Sequence, residues 1–110
     1  MIQSLNSMEE FDHLISNSSG ILIYFSHEKC NVCKVLKPKV FEMLKENFPK
    51  MQMYYSNTVL SPEVAGQNSI FTVPTILIYF DGKEFLRKSR NISVEGLQKE
   101  IERPYQLLFD

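Results

Sequence analysis

The sequence predicts an α/β fold: a central mixed β-sheet, a parallel βαβ half followed by an antiparallel β-hairpin, flanked by helices on both faces. Three observations carry this. Short β-branched and aromatic runs alternate with segments whose apolar residues recur every three or four positions, the signs of strands and of helices with one buried face. Residues 21–25 and 76–80 are apolar without a break, as strands covered on both faces are. Asp81-Gly82 then separates the second run from a shorter strand-like one, and Asp-Gly is a strong hairpin signal.

Each element has a local reason. Residues 2–5 read as a short opening strand. Ser7-Met8-Glu9-Glu10 is a capping box: the Ser7 hydroxyl can accept from the N–H at position 10, and Glu10 can reach back. The stripe Met8, Phe11, Leu14 and Ile15 gives a helix that stops in the polar run 16–20. After the strand at 21–25, Val35, Leu36, Val40, Phe41, Leu44 and Phe48 mark a long helix that should fray near Asn47-Phe48-Pro49. A strand at 51–55 follows. Ser61-Pro62-Glu63 supplies an N-cap, a proline at the first helical position and an acid in the first turn of a short helix to about Gln67. The hairpin pairs 73–80 with 84–88. Ser93 caps a last helix with the stripe Val94, Leu97 and Ile101. Pro104 disfavours helical backbone at Arg103, so Tyr105, Leu107, Leu108 and Phe109 are expected to form an apolar C-terminal extension (105–110), folded back over the domain or contacting a partner. The aromatic residues Tyr24, Phe25, Phe41, Tyr79 and Phe80, with Met43, Met51 and Met53, belong to the expected core.

At 110 residues the chain is expected to form one domain (1–110), long enough for a core of its own. Twelve basic and thirteen acidic residues leave a formal charge of −1, so neither nucleic acid nor membrane is an expected partner. The first ten residues lack the basic and apolar regions of a secretory signal, and no apolar run approaches the ~18–20 residues of a membrane span. A cytoplasmic location is expected, where a C-x-x-C pair is kept reduced and is catalytic or metal-binding rather than structural.

The chain has two cysteines, Cys30 and Cys33, at the junction of a buried strand and a helix. Cys30 falls at the helix N-terminus, where unpaired N–H groups and the macrodipole favour negative charge. A thiol there ionises more readily, and the thiolate is the reactive form. Lys29 and Lys34 add positive charge. One helical turn separates the two residues, so their sulfurs can bond with little backbone movement. Cys30, expected to be the more exposed, would attack a substrate disulfide, and Cys33 would resolve the mixed disulfide. A second feature is Val73-Pro74-Thr75: proline cannot donate to a sheet ladder and so belongs at a strand start or a special backbone site.

Cys30-Asn31-Val32-Cys33 after a buried strand, Pro38 five residues beyond Cys33, Val73-Pro74-Thr75 and the Asp81-Gly82 hairpin together resemble the thioredoxin family, from about Leu5 to Arg103. The resemblance implies the thioredoxin fold and a thiol-disulfide oxidoreductase, with Cys30 as nucleophile and Cys33 as resolving thiol. It implies a kink at Pro38 and a cis-proline at Pro74 facing the pair. The Val73 backbone would bond extended substrate, with Asn31, Val32 and Pro74 in the same binding surface. Disulfide-containing protein substrates, and a thioredoxin reductase or another thiol donor, are the implied partners in electron transfer and cell redox homeostasis; no cofactor is implied. The chain departs from the family's Trp-Cys-Gly-Pro-Cys sequence with Lys29-Cys30-Asn31-Val32-Cys33 and contains no tryptophan. The family's buried acid falls at Tyr24 and its partner lysine at Tyr55, so an acid–lysine relay is absent, leaving Glu28 or water as substitutes. His27 is read as an exposed turn histidine.

Two other readings stand beside this one. The fold could serve as a binding or adaptor module with weak or vestigial redox activity. Two thiolates at this spacing are also half a tetrahedral metal site, but with His13 and His27 the only histidines, a metal would need donors from another chain.

Overall fold

The computed structural model describes residues 2–109. Its elements run β1 (Gln3–Ser4), α1 (Met8–Asn17), β2 (Gly20–Ser26), α2 (Asn31–Asn47), β3 (Gln52–Asn57), α3 (Pro62–Gln67), β4 (Thr75–Phe80), β5 (Lys83–Ser89) and α4 (Val94–Phe109). The sheet order is β1-β3-β2-β4-β5. β1 and β2 each pair parallel to β3, while β2 with β4 and β4 with β5 are antiparallel.

All of β2 is buried because its alternate side chains enter two different cores. Ile21, Ile23 and Phe25 join Leu77 and Tyr79 under Phe11 and Ile15 of α1 and Val64 of α3. Leu22 and Tyr24 join Ile76 and Ile78 under Leu36, Val40 and Leu44 of α2 and Leu97 and Ile101 of α4. The unbroken apolarity of 21–25 therefore reflects a strand with no solvent face.

The caps divide. Ser7 Oγ accepts from Glu10 N at 3.1 Å, but the Glu10 carboxylate meets the Ser7 hydroxyl rather than its N–H, so the box closes on one side only. Ser93 Oγ accepts from Gly96 N at 3.1 Å. Ser61 makes no side-chain cap bond. Pro62 sits at the first helical position, where its missing N–H costs the helix nothing. In the hairpin, Asp81 and Gly82 have φ of 52° and 79°, the left-handed pair of a type I′ turn. The register passes from Ile78↔Leu86 to Tyr79↔Glu84, which leaves Phe85 as the extra residue of a bulge. Its ring sits 5.5 Å from that of Phe80.

Two expectations are corrected. Val35 is 60% exposed; Met43 takes its place in the buried stripe of α2 with Leu36, Val40 and Leu44. The helix does not end at Arg103: α4 continues through Pro104 to Phe109. Tertiary packing overrides the local preference. The Tyr105 ring lies 4.9 Å from Phe48 and 4.7 Å from Phe109. Its hydroxyl accepts from Lys50 N at 3.1 Å, and Lys50 Nζ donates to the Phe109 carbonyl at 3.2 Å. Phe109 reaches Gly20, where an added Cβ would stand 3.1 Å from its ring. The last turns are thus a lid on the α2–α4 core rather than a separate extension. Tyr105→Ala should cost about 3 kcal/mol, in the range of other large-to-small core truncations. Urea unfolding of the two proteins in the same redox state measures it, and a loss below about 1 kcal/mol would mean that these turns are not part of the cooperative unit.

Candidate functional site

β2 ends at Ser26, and a short loop carries the chain to Cys30, the N-cap of α2. The loop is tied at its far end, where Cys30 N donates to the His27 carbonyl at 3.2 Å. Cys30 Sγ itself caps the helix, accepting from Cys33 N at 3.2 Å. The sulfur thus occupies the position where the helix presents its unpaired donors, and the first turn of α2 contains no acidic residue to compete for them. Cys30 and Cys33 are joined as a disulfide, their Cα atoms 5.2 Å apart. Their burial differs. Cys33 is 1% exposed within the α2–α4 core, whereas Cys30 is only partly covered. Asn31 and Val32 are exposed on the first turn, flanked by the exposed Lys29 and Lys34.

The loop before β4 faces the same core. Val73 is partly buried against the cluster that holds Cys33 and Cys30. The Val73–Pro74 peptide bond is cis. Thr75 Oγ1 donates to the Thr72 carbonyl at 2.7 Å, and Arg90 N donates to the Pro74 carbonyl at 2.9 Å. Among the described residues, Val73 enters none of the backbone hydrogen bonds of turns and loops.

Beneath the pair lies Tyr24, fully buried. Its hydroxyl donates to the Cys33 carbonyl at 2.9 Å, tying the first turn of α2 to the middle of the sheet. Burial, with Tyr55 beside it on β3, pushes this phenol up to about 12. Tyr24 therefore keeps its proton across the physiological range: it can hold the Cys33 backbone but cannot take the Cys33 proton. Lys37, one turn beyond Cys33, places Nζ 3.8 Å from the centre of the Tyr55 ring, a cation–π contact, and partial burial lowers its pKa. Glu28 is exposed and makes no hydrogen bond to the pair among the described residues. His27 is half-buried rather than exposed, with Nδ1 inaccessible and without a protein partner. The tether from Tyr24 and the cation over Tyr55 escaped the sequence. Their only trace there is two phenols at neighbouring central-strand positions and a lysine four residues after Cys33.

A partly exposed cysteine at a helix N-cap, bonded to a buried one a turn away, is the arrangement of a thiol–disulfide exchange centre. The Thioredoxin family model matches residues 3–103. The thioredoxin-like protein YdfQ of Bacillus subtilis is 34% identical over 103 residues, covering 94% of this chain and 91% of its own. A thioredoxin of Chlamydia trachomatis is 37% identical over 81 residues, covering 74% of this chain and 78% of its own. The crystal structure of oxidised mitochondrial thioredoxin 3 from Saccharomyces cerevisiae superposes with a TM-score of 0.83 over 92% of this chain and 93% of that one, at 23% identity. The chain belongs to the thioredoxin family and has the thioredoxin fold. It is a thiol-disulfide oxidoreductase of that class.

A raised phenol pKa means that the folded state keeps a proton the unfolded chain releases. The stabilisation is complete below about pH 10 and is lost as pH climbs toward about 12. Tyr24→Phe should cost roughly 1 kcal/mol near neutrality through the lost hydrogen bond. It should also flatten the alkaline fall in stability, measured as urea midpoints of the two disulfide forms from pH 8 upward. Identical alkaline slopes would contradict a buried, protonated Tyr24.

Proposed function

We propose that Cys30 is the nucleophile and Cys33 the resolving thiol in the reduction or exchange of protein disulfides. The difference in burial carries this reading: Cys30 is only partly buried, whereas Cys33 is 1% exposed. In the reducing direction, the Cys30 thiolate attacks one sulfur of the substrate disulfide, forming a mixed disulfide and releasing a substrate thiolate. Cys33 loses its proton and attacks Cys30 Sγ, expelling the second substrate thiolate. Two electrons and two protons reach the substrate, and the Cys30–Cys33 disulfide remains. A thioredoxin reductase or another thiol donor restores the dithiol.

The exposed Asn31 and Val32 on the first turn, with the partly buried Val73 and the buried Pro74 before β4, form the substrate site in this reading. Support comes from Val73, whose amide and carbonyl are uncommitted to turn or loop bonds, and from the core it shares with both cysteines. A cytoplasmic location and a part in cell redox homeostasis fit a dithiol kept reduced between turnovers; no described helix is long and apolar enough to cross a membrane.

One observation favours an adaptor with weak redox activity as the second reading. The phenol beneath Cys33, pushed up to about 12, is no base, so resolution depends on proton loss from Cys33 without a buried carboxylate's help. The cysteine variants separate the two. Cys30→Ser should reduce disulfide turnover to background, and Cys33→Ser should accumulate mixed disulfides with substrate proteins, seen as reductant-sensitive bands on non-reducing gels. Partner capture that is equal for wild type and the double Cys→Ser variant would favour the adaptor instead.

A further inference from the structure

A cavity of about 440 Å³ opens beside the exchange centre, lined by His27, Glu28 and Lys29 of the β2–α2 loop and by Asn57, Val59 and Leu60 after β3. Its volume lies in the range of ligand pockets. β2 and β3 run parallel, and their paired ends Ser26 and Asn57 bring the two loops together at the end of the sheet that carries Cys30. Val59 and Leu60 are 67% and 77% exposed, yet their backbone is fixed. Thr58 N donates to the Ser26 carbonyl and Ser61 N to the Asn57 carbonyl, each at 2.9 Å. The Asn57 side-chain oxygen accepts from Val59 N at 2.9 Å and Leu60 N at 3.0 Å. Four consecutive amides thus fix the backbone that carries these two exposed aliphatic side chains, and a surface already ordered lowers the ordering cost of a binding step. The two charged residues of the lining, Glu28 and Lys29, have opposite sign, so the cavity selects no net charge.

We infer that this cavity is a subsite for a large apolar side chain adjacent in sequence to the cysteine that Cys30 attacks. The inference rests on the exchange chemistry proposed above and names its preferred polypeptide. The attacked sulfur belongs to the substrate, so the substrate backbone must pass over Cys30. The wall formed by His27 is held to Cys30 by their backbone hydrogen bond. A neighbouring leucine or phenylalanine then enters between the imidazole and the Val59–Leu60 ridge, burying apolar surface on both sides.

The test uses the disulfide-linked dimer of acetyl-Gly-X-Cys-X-Gly-amide, with X as phenylalanine or alanine. The reduced wild-type protein should reduce the phenylalanine peptide about tenfold faster, as a second-order rate constant, since partial burial of one aromatic side chain is of that order. In the variant carrying Val59→Ser and Leu60→Ser, the ratio should fall to about one. A ratio near one in the wild type, or a ratio that survives in the variant, overturns the subsite; survival would assign selectivity to another surface such as Phe71 or Ile92. A second arm does not depend on turnover. The same peptides, activated as pyridyl disulfides, are tethered to Cys30 of Cys33→Ser, and the Val59 and Leu60 methyl resonances are compared. The phenylalanine adduct should shift them by ring current relative to the alanine adduct, and unmoved methyls refute the proposal. Failure of both peptides to be reduced, with the methyl shifts present, would count against the exchange reaction and not against the cavity.

Discussion

Strand β2 is the constraint from which the site follows. It lies between β3 and β4 in the sheet order, every residue from Gly20 to Ser26 is buried, and its side chains are divided between the two cores. A strand held on both edges and both faces has no freedom to slip, because a shift of one residue would exchange the two sets of side chains. Its end at Ser26 is therefore a fixed point. The loop from His27 can close onto α2 in few ways, and the N-cap position falls to Cys30. Position along the chain is thus converted into electrostatics: the residue that starts the helix is the one whose negative charge the helix end stabilises.

The same strand carries the group that distinguishes this site electrostatically. Tyr24 occupies a place where a charge would be costly to bury, and its hydroxyl is consumed in holding the Cys33 carbonyl. The sheet supports the buried thiol through a neutral tether. Lys37 rests over the Tyr55 ring, so its charge is partly satisfied by a π face. In the exchange proposed above, the helix end favours the Cys30 thiolate, whereas the group tied to Cys33 is a protonated phenol and not a carboxylate.

Much of this could be read from residues alone. The two covered strands, the type I′ hairpin at Asp81-Gly82, the N-cap of α1 and the junction that holds Cys30 each depend on interactions within a few residues, and local chemistry determined them. Features that depend on distant partners were less accessible. Pro104 argued for a helix end, but Phe48, Lys50 and Gly20, more than fifty residues away, keep α4 helical to Phe109. Val35 fitted the apolar period of α2 and yet faces solvent, because that period tolerates two neighbouring stripes and only the sheet decides between them. The His27 environment and the Asn57-fixed loop arise from the meeting of two strand ends, which no single segment encodes.

The outermost long strand bears on how other chains can approach. β5, at the edge of the sheet, carries the exposed charges Lys83, Glu84 and Arg87, and the bulge at Phe85 interrupts its ladder. Charges and irregularity on such a rim discourage a foreign strand from extending the sheet. With that flank guarded, a contact made for disulfide exchange is kept from growing into an intermolecular sheet.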